Sequence, residues 1–251
     1  IYGNFKIMSL FLILLAAGES KRLKSNTPKP FNTIGNKMIL EHSVNAFKNF
    51  NKIKKTILVY NSKHKKYLKK INLKGILKVT GGKSRKESTF KALKQIKKMN
   101  CKNVLIHDVA RPFPSREIIS KVINNLKKNH AVVPTIKIND ATKRIKNSNI
   151  FKNIQRESLR FSQTPQGFTY KKIYEKHLKN KNMSHDDDSS LFTMDGEKVL
   201  TIKGDKKNLK VTDAEDLNIL RSLKGNKTYY GIGFDIHKLI KGKKLYLGES
   251  K

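Results

Sequence analysis

An apolar run from Leu10 to Leu15 opens directly into Ala16-Ala17-Gly18-Glu19-Ser20-Lys21-Arg22, and Lys29 follows between Pro28 and Pro30. Ala and Gly let a main chain approach an anion closely with its N–H groups facing it, while Lys21, Arg22 and Lys29 neutralise charge. That chemistry suits a polyphosphate. The segment is not a Walker A loop, because the Gly-Lys-Ser/Thr ending is missing. Taken alone, it also reads as an ordinary strand ending in a glycine turn with lysines nearby. A second stretch, Gly81-Gly82-Lys83-Ser84-Arg85-Lys86-Glu87-Ser88, offers backbone amides, a base or ribose contact through Ser88, and the charge of Arg85. A third is His107-Asp108-Val109-Ala110-Arg111-Pro112. Asp108 can bind a divalent metal or a ribose hydroxyl, and Arg111 can hold a phosphate or orient Asp108. The alternative is a structural Asp–Arg pair closing a strand end.

Elements with a definite spacing must carry these residues. Strand-like runs recur at residues 10–16, 56–60, 76–80, 103–107 and 131–135. Helical patterns lie between them. Residues 39–50 place Ile39, Val44 and Phe47 on one stripe; 84–99 carry Phe90, Leu93 and Ile96; 115–129 carry Ile118, Ile119, Val122, Ile123 and Leu126, with Ser115 as N-cap. The alternation predicts an α/β fold, a Rossmann-like, doubly wound, mostly parallel sheet with helices on both faces. Ligands of such sheets sit beyond the carboxyl ends of the strands, where Gly18, Gly81-Gly82 and His107-Asp108 all fall. Residues 136–161 change to short polar–apolar stretches, a β-rich excursion. A strand returns at 199–202, and Thr212-Asp213-Ala214-Glu215 reads as a capping box for a final helix through Leu223.

Composition narrows the function classes. A chain of 251 residues can bury one substantial core and a small piece of a second. No segment is long enough for a transmembrane helix. Lys6, the apolar run and Ala16-Ala17-Gly18 resemble a short secretory signal, but cleavage there would discard the first strand, so a cytoplasmic enzyme is expected. Ile1 opens the chain and Met8 lies just before the strand, so residues 1–7 read as an upstream extension or a fragment end. The lone Cys101 excludes a disulfide framework or a cysteine-based zinc cluster. The formal charge of +36 invites a nucleic-acid reading, yet 47 of the 55 cations are Lys, spread from end to end. Sequence-reading proteins favour Arg for its bidentate grip. A solvated Lys surface that helps gather small polyanions is expected instead, with no specific nucleic acid and no membrane as partner. His42, His64, His130 and His177 read as surface or helix-packing residues.

The three stretches in this order strongly resemble the 2-C-methyl-D-erythritol 4-phosphate cytidylyltransferase family of the non-mevalonate isoprenoid pathway. Further matches follow in order: Asp140 with Lys143-Arg144, Gln155-Arg156, Thr164-Pro165-Gln166, Asp186-Asp187 and Asn208-Leu209-Lys210-Val211-Thr212. Gly233-Phe234-Asp235-Ile236-His237 then resembles the opening of 2-C-methyl-D-erythritol 2,4-cyclodiphosphate synthase, which is fused behind the cytidylyltransferase in some bacteria. The resemblance implies a cytidylyltransferase domain at 8–224, a linker at 225–228 and the start of a second domain at 229–251.

It also implies roles. Ala16, Ala17 and Gly18 with Arg22 and Lys29 would hold the CTP triphosphate, Gly82 and Ser88 would contact cytosine and ribose, and Asp108 would help hold Mg²⁺. Lys210 joins Arg22 and Lys29 as a catalytic cation, while Arg111, Asp140, Arg156 and Thr164 would receive methylerythritol phosphate. A protruding β-arm, around 138–157, would complete the neighbouring subunit's site in a homodimer. Asp235 and His237 would be two zinc ligands of an incomplete cyclase site, so Zn²⁺ is expected only with a complete second domain and cyclase activity is expected to be absent. Three residues depart from the family pattern: Leu15 where many relatives carry Pro, Ala141 where Thr is usual (with Thr142 next door), and His185 where Thr is common. A cytidylyltransferase for another polyol phosphate, such as ribitol 5-phosphate, would carry similar CTP loops. The cyclase-like fragment favours the isoprenoid pathway.

Overall fold

Seven consecutive buried residues, Leu10–Ala16, form strand β1, and the period-two alternation of a strand divides them between two cores. Leu10, Leu12, Leu14 and Ala16 enter one; Phe11, Ile13 and Leu15 enter the other. The computed structural model describes residues 9–19, 21–23, 25–181 and 187–224. The strands after β1 are β2 (Thr33–Ile34), β3 (Lys37–Met38), β4 (Ile53–Tyr60), β5 (Ile76–Thr80), β6 (Asn103–Asp108), β7 (Ala131–Lys137), β8 (Thr142–Lys146), β9 (Asn149–Ile154), β10 (Arg160–Ser162), β11 (Gln166–Thr169) and β12 (Leu200–Lys203). The helices are α1 (Ile39–Lys48), α2 (Lys65–Leu68), α3 (Arg85–Gln95), α4 (Arg116–Asn125), α5 (Tyr170–Lys179), α6 (Ser190–Met194) and α7 (Ala214–Lys224).

The main sheet runs β5-β4-β1-β6-β11-β7-β10, with β12 also beside β7. The β5-β4-β1-β6 half and the β7–β12 pair are parallel, whereas β11 is antiparallel to both neighbours and β10 is antiparallel to β7. Helices cover both faces, α1, α4 and α7 on one core and α3, α5 and α6 on the other. The expected mostly parallel, doubly wound sheet is therefore present, with an inserted antiparallel strand. Gly167 in β11 packs closely there, since a Cβ would sit 2.6 Å from Val122 of α4 and 2.7 Å from Leu126 just after it.

Local sequence sets most element ends. Ser84 and Ser115 cap α3 and α4 by accepting from the N–H groups of Glu87 and Ile118. Helices α1, α3 and α4 stop two to four residues before their expected ends at 50, 99 and 129, where the chain tightens to three-residue hydrogen bonds such as Met99 N–H to Ile96 O. The capping box of α7 falls one residue later than expected. Asp213 accepts from the Asp216 N–H at 3.1 Å, and Asp216 accepts from the Asp213 N–H at 3.3 Å and the Thr212 N–H at 2.7 Å. Two carboxylates displace the Thr212 hydroxyl, which donates to Lys210 O instead.

The β-rich excursion is a hairpin, β8 with β9, turning through Asn147 and Ser148 in left-handed conformation. It pairs with no strand of the main sheet and leaves Ile145, Ile150 and Phe151 more than half exposed. No helix among the described residues is long and apolar enough to cross a membrane. Residues 1–7, His185, Asp186, the 225–228 linker and 229–251 with Asp235 and His237 lie outside the described residues.

Candidate active site

Strands β1, β4, β5 and β6 deliver their carboxyl ends to one cavity of about 420 Å³. Ala16, Ala17 and Gly18 line it after β1, Asn61 after β4, Gly82 after β5, and Asp108 at the end of β6. Two loops meet at its rim. The Gly81 N–H donates to Tyr60 O at 2.8 Å, and a Cβ at Gly81 would lie 2.3 Å from the Ala17 methyl, so only glycine allows this approach. The buried Ser88 hydroxyl accepts from the Gly82 N–H at 3.0 Å and holds the second loop against the cavity.

Among the described residues five cations line this space: Arg22, Lys29, Lys83, Arg85 and Lys210. Lys29 stands in a short turn behind Pro28, and its Nζ donates to the carbonyls of Val211 and Thr212 at 2.9 and 3.0 Å. Burial lowers its pKa, and the positive charges of Arg22 and Lys210 lower it further. Like charges gathered around a partly desolvated lysine favour an anion between them.

Asp108 is held from every side. Its Oδ1 accepts from Arg85 Nε at 3.1 Å and its Oδ2 from Lys210 Nζ at 2.7 Å. Burial opposes its ionisation, but Arg85 and Lys210 outweigh burial and keep the carboxyl well below the usual carboxylate range. Its backbone N–H donates to Thr164 Oγ1 at 3.1 Å, and that hydroxyl lies 3.1 Å from His107 Nδ1. Burial pushes His107 down to about 4, so the ring is neutral near pH 7. With Nδ1 accepting from Thr164, the proton sits on Nε2 and is donated to Arg111 O at 2.9 Å.

The structure brings together Ala16, Ala17, Gly18, Arg22, Lys29, Gly82, Ser88, Asp108 and Lys210, as expected. It does not bring Thr164, Arg111, Asp140 or Arg156 into the cavity wall. The buried Thr164 hydroxyl is spent on Asp108 and His107. Arg111 donates to the carbonyls of Asn208 and Ser162 at 2.6 and 3.2 Å, so the arginine partner of Asp108 is Arg85 rather than Arg111. Asp140 and Arg156 sit at the base of the hairpin. Arg156 donates to Asn139 O and shares a shallow hollow of about 550 Å³ with Lys137 and Arg160.

Among the described residues no cluster of three His, Cys, Asp or Glu could hold a metal. Asp108 has about four acceptor sites and uses two, which fits a magnesium ion shared with phosphate oxygens and water rather than a protein cage.

Sequence reasoning missed Asp188, His177 and the pairing of Arg85. Asp188 accepts from Arg85 Nη1 at 2.7 Å and from His177 at 3.0 Å. Asp187 is structural as well, accepting from Ser189 and Ser190 at the start of α6 and from Ser162 and Gln166. His177 packs on its helix as expected, parallel to Phe90, but also makes a polar contact. The only local sign was a run of three aspartates, and nothing in it pointed to a partner about a hundred residues away.

Comparison with known proteins extends these observations. Residues 10–223 match the family described as 2-C-methyl-D-erythritol 4-phosphate cytidylyltransferase. The chain is 47% identical over 244 residues to a bifunctional enzyme IspD/IspF of Pelagibacter ubique, covering 97% of this chain but only 64% of that protein. It is 34% identical to a 2-C-methyl-D-erythritol 4-phosphate cytidylyltransferase of Clostridioides difficile, covering 84% of this chain and 92% of the relative. The crystal structure of 4-diphosphocytidyl-2C-methyl-D-erythritol synthase from Anaerococcus prevotii superposes with a TM-score of 0.75 at 30% identity, covering 86% of this chain and 96% of that one. The matched span contains the whole cavity with its glycine and alanine loops, its cations and Asp108, and on that span this chain belongs to the 2-C-methyl-D-erythritol 4-phosphate cytidylyltransferase family.

Proposed function

We propose that the described domain transfers CMP from CTP to 2-C-methyl-D-erythritol 4-phosphate, giving 4-diphosphocytidyl-2-C-methyl-D-erythritol and pyrophosphate. The observation that carries this reading is the convergence of Arg22, Lys29 and Lys210 on a close-approach glycine and alanine rim at the carboxyl ends of parallel strands. Family membership supports the choice of substrates.

In this mechanism Ala16, Ala17 and Gly18 bring main chain against the triphosphate, and Arg22 and Lys29 neutralise it. Gly82 and Ser88 shape the loop that meets cytosine and ribose. An oxygen of the methylerythritol phosphate attacks the α-phosphorus in line; the new P–O bond forms as the bond to the bridging β-phosphate oxygen breaks, and pyrophosphate leaves. The attacking phosphate oxygen is already anionic, so no general base is needed, and the doubly ion-paired Asp108 is poorly suited to be one. Catalysis is positioning plus electrostatic stabilisation by Arg22, Lys29 and Lys210. Asp108 would hold Mg²⁺ with the phosphate oxygens, where the ion supplies further charge neutralisation. The hairpin, with Ile145, Ile150 and Phe151 exposed, would pack on a second copy and set Asp140 and Arg156 of the partner subunit toward the polyol phosphate. Zinc and cyclase chemistry belong to a complete second domain, and a cytoplasmic setting fits a single cysteine and no disulfide.

The test is pyrophosphate release with Mg²⁺, CTP and a panel of polyol phosphates. Turnover should be fastest with methylerythritol phosphate. Preference for ribitol 5-phosphate, or no turnover by a folded dimer, would overturn the reading.

A further inference from the structure

A chain of hydrogen-bonded polar and charged groups runs from the buried face of α5 to the cavity. His177 on α5 and Asp188 just before α6 have fully buried side chains, with His177 Nε2 3.0 Å from Asp188 Oδ1. Asp188 Oδ2 accepts from Arg85 Nη1 at 2.7 Å, Arg85 Nε donates to Asp108 Oδ1 at 3.1 Å, and Asp108 Oδ2 takes Lys210 Nζ at 2.7 Å. Arg85 Nη2 is closed off from solvent and has no hydrogen-bond partner among the described residues. The guanidinium is thus held by one nitrogen on each of two carboxylates. Its planar fork would otherwise favour a bidentate grip on one of them.

We propose that Asp188, backed by His177, is a positioning residue that keeps Arg85 single-armed on Asp108, so that the second Asp108 oxygen stays on Lys210 at the cavity wall. Both Asp188 oxygens are engaged, so the carboxylate cannot swivel. Phe90 stacks on the His177 ring at 5.7 Å, nearly parallel, and fixes the plane from which Nε2 donates. Stability alone does not account for the arrangement, because buried ion pairs often contribute no more than apolar residues of the same volume. Loss of Asp188 would let Arg85 turn fully onto Asp108 and draw it from Lys210.

The activity readout rests on the cytidylyl-transfer reading. His177→Phe keeps the ring and the stack on Phe90 but removes the donor, whereas His177→Gln restores an N–H near the Nε2 position. His177→Phe should lower kcat about tenfold, with the KM for CTP changed less than about twofold, and His177→Gln should recover kcat to within about threefold. Asp188→Asn is the second variant, should the phenylalanine chain not fold, and should lose about 10- to 100-fold in kcat. Hydrogen exchange at Arg85 Nε–H, read by NMR without substrate, should quicken in His177→Phe and Asp188→Asn. The proposal is overturned by a kcat within about twofold of wild type in His177→Phe, by equal losses in both His177 variants, by a loss confined to KM, or by unchanged Arg85 exchange. A wild-type chain with no turnover would overturn the activity reading instead, and the exchange measurement would still decide the positioning role.

Discussion

The cavity at the strand ends and the hollow at the hairpin base are both rich in cations, yet they are built differently. In the cavity, Lys29, Arg85 and Lys210 are anchored to carbonyls or carboxylates drawn from distant parts of the same chain. At the hairpin base, Arg156 and Arg160 lean on nearby carbonyls, those of Asn139 and of Glu157 and Leu159, within an exposed segment. One site is fixed by a single fold before any ligand arrives. The other has its cations in place, but its walls are open and the apolar residues of its hairpin are bare. Preorganisation here follows burial: charges removed from water must be paired, and pairing fixes geometry.

Variants on the two sides should therefore behave differently, and the largest effect belongs to the cavity. Lys29→Ala should cut kcat about 10²- to 10³-fold in the pyrophosphate assay, because it removes charge aimed at the transition state. Activity near wild type would end the claim that the cavity cations act on the reacting phosphate. Next comes Asp188→Asn, expected to lower unfolding free energy by about 3 kcal/mol at pH 7 by breaking a buried pair. Burial opposes ionisation of Asp188, but Arg85 and His177 outweigh it and hold the group at about 2, below the ordinary 3.8. A depressed pKa contributes stability above the unfolded value that is lost as pH falls, so the gap between variant and wild type should narrow between about pH 4 and 2. A pH-independent gap in urea titrations would contradict the pairing. Arg156→Ala should be milder, lowering kcat/KM for the polyol phosphate about tenfold with the KM for CTP unchanged. An equal effect on both substrates would erase the division between the two regions. Phe151→Ser should be smallest within one chain, under about 0.5 kcal/mol in thermal unfolding of the monomer, since the side chain is exposed. A clear loss of dimer by sedimentation should accompany it.

Much of the fold was readable because its signals are local. The apolar run at Leu10–Ala16 states its own length, and Ser115 announces its helix. The cavity loops were legible through their order: Ala16-Ala17-Gly18 alone fits an ordinary strand turn, and the Gly81-Gly82 and His107-Asp108 stretches that follow it carried the reading. What stayed hidden depends on distance. β11 is four residues long, too short for a period to show, and it takes an antiparallel place that only the completed sheet defines. Arg111 and Arg85 look alike in sequence. Which of them meets Asp108 is decided by Asn208 and Ser162 on one side and Asp188 on the other. Thr164 was expected to face substrate, yet its hydroxyl is the nearest partner for a buried N–H and a neutral His107.

The contact between Gly81 and the Ala17 methyl carries one more consequence. It sets the loops after β1 and β5 against each other, so neither can close inward without moving the other. Where those loops meet, the spacing is set by backbone and a single methyl rather than by a long side chain. Under the proposed function, a change of base at that contact would have to remodel both loops together rather than one side chain.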